Sequence, residues 1–199
     1  MRRAEAGFQL VDMLITLTVS ALVIGLATPP LLRAAAGLQV RLAALEVGSA
    51  LRLARAYAVR HSAHVGVKFR TAPDGTVSWG LYLDADGDGV RTDDIDSGVD
   101  PLAAPARRLS HFGPKVRLGF PPGRPPRDPG DPSRRLDRLD DPIRFNRSDI
   151  CSFGPLGGST PGSVYVTDGA HHLAVARVTN ATSRLRVMSY DRVRDRWRT

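Results

Sequence analysis

The chain offers little cysteine, lysine or aromatic side chain. Its 199 residues include one cysteine, Cys151, and aromatics make up 6%. A lone thiol excludes an internal disulfide, and no group of Cys and His has zinc-ligand spacing. Lysine occurs only at Lys68 and Lys115, so the net charge of +8 is an arginine charge. Such a bias can reflect composition as readily as a polyanionic partner, and alone it decides neither. Catalytic motifs are also missing: there is no glycine-bracketed serine elbow, no P-loop and no His-Glu-x-x-His. His61 and His64, at i and i+3, have no further ligand beside them, and His171-His172 adjoins a glycine-containing turn. These absences argue against an enzyme. With 42% hydrophobic and 24% charged residues, the chain can still fold one real core, with or without an appendage.

The informative feature is at the N-terminus. Between residues 6 and 32 the only charged side chain is Asp12, and residues 13–32 form an uncharged run of 20. As helix that run is about 30 Å long, the thickness of a bilayer core. Its apolar character goes all the way round, which predicts a membrane span rather than a soluble core helix. Three readings compete: a secretory signal cut near Gly25-Leu26-Ala27, an unprocessed anchor, and a span in which Asp12 has a task. A carboxylate at the edge of an apolar helix is costly and calls for a partner, which favours the third. Arg2 and Arg3 before the span are balanced by Arg33 and Arg41 after it, so arginine count leaves orientation open.

Residues 6–14, Ala-Gly-Phe-Gln-Leu-Val-Asp-Met-Leu, resemble the signal of type IV pilins and type II secretion pseudopilins, usually Gly-Phe-Thr-Leu-Val-Glu-Leu-Leu before an apolar helix. The resemblance implies cleavage between Gly7 and Phe8 by a membrane prepilin peptidase, with methylation of the new Phe8 amine. Asp12 then takes the fifth mature position, where the family's glutamate neutralises the N-terminal amine of a neighbouring subunit. Asp12 is one methylene shorter than that glutamate, and Gln9 stands where threonine is common. Pro29 takes mature position 22, where the family helix kinks. The implied setting is the inner membrane, crossed once, with the bulk of the chain in the periplasm. The implied partners are other pilins or pseudopilins and their membrane assembly platform.

Residues 33–62 are rich in Ala, Leu and Arg, without proline after the Pro29-Pro30 break. Leu38, Leu42, Leu45, Leu53 and Tyr57 recur at helical spacing and predict a core-facing stripe. Gly37 and Gly48 each cost a helix about 1 kcal/mol relative to alanine, so packing must hold it. Beyond His61 the period shortens. Alternation predicts strands at 64–70, 77–83, 115–120, 143–147, 163–168, 172–179 and 184–190, with a hairpin turn at 72–75 and another at 179–182. Residues 121–142 hold seven prolines among alternating charges and read as a long mobile loop with no core of its own, either a partner-binding loop or a tolerated insertion.

The expected fold is α+β: a long N-terminal helix, membrane-embedded in its first half and kinked near Pro29, packed on an antiparallel β-sheet domain. The divisions are a leader at 1–7, an assembly helix at 8–32, a periplasmic half-helix at 33–62, and a β-rich domain at 63–199. The order from LRLARAYAVRHSAHVGVKF to GSVYVTDGAHHLAVARV and RLRVMSYD resembles the GspH/FimT group of minor pilins and pseudopilins. That resemblance implies a subunit that helps initiate or cap a filament.

Two further clusters carry chemistry. Asp84, Asp86 and Asp88 alternate before Gly89, and with the Val90 carbonyl they match the start of a calcium loop. Position 12 of that loop is Ile95, leaving Asp94, with Asp93 and Asp96, to complete a Ca2+ site; crowded acids repel without a cation. Arg184, Arg186, Arg192, Arg194, Arg196 and Arg198 gather near the C-terminus beside Tyr190 and Trp197, and could contact phosphates and stack bases of DNA. DNA uptake is a role taken by some minor pilins that this chain resembles. Cys151 reads as a packed small residue, with pairing to another subunit as the alternative.

Overall fold

The computed structural model describes residues 3–179 and 183–199, with side chains of the first helix from Leu10 onward. The turn expected at 179–182 therefore lies largely outside the described residues. One helix, α1, runs Arg3–His61 with Pro29 and Pro30 inside it. The helix runs on through both prolines, although neither can donate to the carbonyl four residues back. Residues 1–36 form one compact unit and 37–199 another. In the first unit the apolar side chains from Leu10 to Leu32 are exposed, and Thr16, Thr18 and Thr28 return their hydroxyls to the carbonyls of Asp12, Leu14 and Ile24 at 2.6–2.8 Å. Such back-bonding removes polar groups from an apolar surround.

In the second unit, α1 buries Val40, Ala43, Ala44, Val47, Leu51, Ala54 and Ala58. This corrects the expected leucine stripe: Leu38 and Leu42 are 57% and 45% exposed, and Leu45 and Leu53 also face outward. Only Tyr57 of the predicted five packs against the core. Apart from Leu51 the buried face is made of small side chains, and at its glycines the sheets come close. A Cβ on Gly48 would lie 2.7 Å from Val187 Cγ2, and one on Gly37 would lie 2.9 Å from the His172 ring. α1 ends at Ser62, whose φ is 52°, where the Ala63 N–H reaches back to the Ala58 carbonyl at 3.3 Å.

Two antiparallel sheets pack on this helical face. The first has order β3-β2-β1-β6, with β1 Val65–Thr71, β2 Val77–Leu83, β3 Leu102–Arg108 and β6 Ile150–Phe153. A short helix, α2 (Thr92–Ser97), sits in the β2–β3 connection. The second has order β10-β9-β8-β7-β4, with β4 Arg117–Leu118, β7 Gly162–Thr167, β8 Leu173–Val178, β9 Leu185–Asp191 and β10 Arg196–Arg198; β5, Ile143–Arg144, also pairs with β7. Val65, Val67, Phe69, Trp79 and Leu81 from one sheet and Val164, Val166, Ala174 and Ala176 from the other meet the helix in one continuous core. A long N-terminal helix packed with antiparallel β-sheet is the fold class expected from the sequence.

The far face of the second sheet has its own cover. Tyr165, Leu173, Val175 and Met188 form a second cluster with Leu136, joined by Phe120, Leu139, Tyr190 and Trp197. Leu136 and Leu139 come from the proline-rich segment 121–142, so the expectation that no core could form from it is overturned. Strands buried on both faces read as short apolar runs, as 164–166 and 173–176 do, and such runs need a second layer.

Candidate functional site

Gly7 and Phe8 lie on α1, but their side chains are outside the described residues. Asp12 is exposed in the apolar first unit, and no side chain of this chain pairs with it among the described residues.

The acidic loop after β2 comes together as its spacing predicts. Asp84, Asp86 and Asp88 each present a carboxylate oxygen, all within 4.8 Å of one another. Asp84 is 6% exposed and accepts from the backbone N–H of Gly87 at 2.7 Å and of Gly89 at 3.0 Å. Both glycines have positive φ, 86° and 93°, so the turn requires them. His64 Nδ1 lies 3.4 Å from Asp84, and Arg91 pairs with Asp88. Asp100, also buried, accepts from the N–H groups of Ala85 and Arg91 at 3.3 Å and closes the loop.

Val90 packs its side chain with Ile95 and Ile150. Asp94, on α2, stands beside the three clustered carboxylates, and its Oδ2 is buried without a hydrogen-bond partner. Desolvation, then Asp86 and Asp100, push the Asp94 carboxyl above its ordinary value. Desolvation also raises Asp88, with Arg91 opposing and Asp86 adding. Asp96 is taken by Arg70 at 2.5 Å and does not join the cluster. Asp94 lies outside the group of oxygens that converge, and a hard divalent cation would draw on Asp84, Asp86 and Asp88.

The arginine-rich terminus is arranged differently from the expectation. Asp191 takes Arg198 at 2.8 Å and Arg194 at 3.9 Å, and Arg192 donates to the carbonyls of Pro122 and Ala170. Arg184, Arg186 and Arg196 have no carboxylate partner among the described residues. Arg186, Arg196 and Arg198 line an open groove of about 630 Å3. Tyr190 and Trp197 are not free to stack bases. Their centroids are 4.8 Å apart, Trp197 lies 6.3 Å from Tyr165, and the Trp197 Nε1 donates to the Arg127 carbonyl at 2.7 Å. An aromatic ring committed to a core cannot also serve as a stacking platform.

What sequence reasoning missed is the fastening of segment 121–142. Asp195, at a left-handed φ of 51°, accepts from Tyr190 Oη at 2.5 Å, Arg135 at 2.5 Å and Arg127 Nε at 3.0 Å. Hydrogen bonds from Arg135, then Tyr190, hold its carboxyl well below the usual carboxylate range. The signal lay in the two leucines of that segment and the apolar stretches 164–166 and 173–176 within β7 and β8. Cys151 is buried, and burial pushes its thiol well above the ordinary value, which marks it as inert packing.

No family model matches this chain, and no curated protein matches it. A solved structure similar to it is the minor pseudopilin EpsH from the type 2 secretion system of Vibrio cholerae, at 11% identity and a TM-score of 0.45. The match covers 75% of this chain and 95% of that one.

Proposed function

We propose that this chain is a minor pilin or pseudopilin, a structural subunit that helps initiate or cap a type IV pilus or a type II secretion pseudopilus. The observation that carries this is α1 itself. A helix long and apolar enough to cross a membrane runs on in the same element to a face that cores a sheet domain. Between residues 6 and 32 its one acid is Asp12, near the head of the apolar part, and Gly7-Phe8 ahead of it resemble a prepilin cleavage site. The chain would be held in the inner membrane with its sheet domain in the periplasm, cut after Gly7 and methylated on Phe8. It would then be drawn into the filament as Asp12 meets the freed amine of a neighbour. In a packed helix bundle each of those charges is costly alone and much less so as a pair. The subunit is structural rather than catalytic, and motor work is supplied by the assembly platform.

The test is the mass of the mature chain from cells carrying a prepilin peptidase. A product beginning at a methylated Phe8 is expected; an intact start, or one at Thr28, would refute the reading. The acidic loop would hold Ca2+, a proposal supported by the converging carboxylate oxygens of Asp84, Asp86 and Asp88. A second reading, DNA binding in uptake, is favoured by the guanidinium groups of Arg184, Arg186 and Arg196, which have no carboxylate partner among the described residues, and by the groove beside the last two. It predicts an affinity that falls with salt and is weakened by Arg186→Gln with Arg196→Gln.

A further inference from the structure

Near the C-terminal end of α1, positive charge gathers without an answering acid. Arg52 and Arg55 of α1 and Arg184 ahead of β9 line one shallow cavity of about 190 Å3, floored by Leu51, Phe153 and Leu185. None of the three guanidinium groups has a carboxylate within ion-pair distance among the described residues, whereas Arg107, Arg194 and Arg198 each do. Arg55 is held in place: its Nη1 lies 3.4 Å from the Ser183 carbonyl, and the Ser183 hydroxyl donates to the Gly157 carbonyl.

Gly157 belongs to a tight turn after β6, fastened by Gly157 N–H to the Gly154 carbonyl at 3.0 Å and Gly154 N–H to the Gly158 carbonyl at 2.9 Å. At its apex Leu156 is 100% exposed. The turn thus presents an apolar side chain one residue from Gly157, whose Cβ position lies 3.9 Å from Arg55 Nη2. Anchors of that kind, ordered before binding, concentrate interface energy.

We propose that Leu156 with Arg52, Arg55 and Arg184 forms a docking surface for an acidic protein partner. The partner would give Leu156 an apolar recess and set carboxylates against the arginines. A polynucleotide could satisfy the guanidinium groups but has no use for a leucine at a glycine-flanked apex or for an apolar floor. Carboxylates on aliphatic stems fit both. The surface does not depend on the filament reading, and it shares only Arg184 with the arginines considered for DNA.

The test titrates the full-length chain in zwitterionic detergent with a random copolymer of glutamate and tyrosine, and separately with a single-stranded thymidine oligonucleotide. The copolymer is expected to bind, and Arg55→Gln with Arg184→Gln should weaken it about tenfold, with Leu156→Ser weakening it severalfold. Arg194→Gln, on the far turn, should change nothing. All of these side chains are exposed, so unchanged circular dichroism is expected of every variant. The proposal is overturned if the wild-type chain ignores the copolymer. It is also overturned if Leu156→Ser is silent, or if the arginine pair weakens the oligonucleotide as much as the copolymer.

Discussion

Replacing Leu136 by alanine separates a segment that covers a sheet from one that merely hangs off it. Leu136 is 4% exposed and packs with Tyr165, Leu173, Val175 and Met188. Truncating a buried leucine costs roughly 2–5 kcal/mol, the transfer term plus the cavity left behind. The low end applies here, because a loop can settle into the space better than a strand can, so about 2–3 kcal/mol is expected. For a folded unit of this size that is about 5–10 °C in melting temperature. The assay is thermal unfolding of the full-length chain in detergent, followed by near-ultraviolet circular dichroism, which reports the Tyr165, Tyr190 and Trp197 cluster directly. Leu156→Ala is the matched control: its side chain is solvent-borne, and about 0.5 kcal/mol or less is expected. If the two variants melt together with unchanged aromatic signals, Leu136 covers nothing, and segment 121–142 is the tolerated insertion its composition suggests.

Three further outcomes follow from the same geometry. Asp195→Asn should lower the melting temperature, with the gap to wild type widest above roughly pH 5 and closing as pH falls. The sign follows from a carboxyl depressed in the folded chain: its contribution is present above the unfolded value near 4 and is lost on acidification through the folded one. Excess calcium should raise the melting temperature, by as much as about 2.7 kcal/mol of stability at a hundredfold excess over Kd, and Asp86→Asn with Asp88→Asn should abolish the response; equal midpoints with and without chelator would remove the site. Leu42→Gln with Leu45→Gln should leave the melting temperature nearly unchanged, since both leucines face outward, yet reduce recovery in sheared filaments; a large loss of stability would return them to the core.

The parts of the fold legible in the sequence are those governed by local period. The run 77–83 reads as a strand and β2 occupies the same residues, because Val77, Trp79 and Leu81 alternate toward one core. β3 was invisible for the opposite reason. It is an edge strand whose residues are mostly exposed, it carries Pro105, and its pairing with β2 shifts register twice. Proline, bulges and charge are how an edge avoids further pairing, and they erase the alternation that identifies a strand. β10 is three residues, Arg196–Arg198, and reads as tail. The acidic loop was legible because alternate positions in a turn converge locally. Asp94 was only half so, since α2 sets it beside the cluster. The Asp195 clamp joins residues 60 and 68 positions apart, a relation no local pattern carries.

The misjudged face of α1 has the most bearing on function. Hydrophobicity alone assigns the interior to leucine, but the distance between helix and sheet decides which side chains fit. With Gly48 against Val187 and Gly37 against His172, the sheets approach too closely for a side chain at those two positions, and Leu51 is the one leucine of α1 in the core. Ala43, Ala44, Val47, Ala54 and Ala58 fill the gap at interior density. Leu38, Leu42, Leu45 and Leu53 are left on the opposite surface, where burial within this chain contributes little. Helical spacing nevertheless keeps Leu38, Leu42 and Leu45 in register, and an exposed apolar stripe on a helix marks a place for another helix. α1 therefore has one apolar face against its own sheets and a second left exposed, and in the proposed filament that second face is the one a neighbouring helix would cover. This is the division expected of a helix that cores its domain and also joins a bundle.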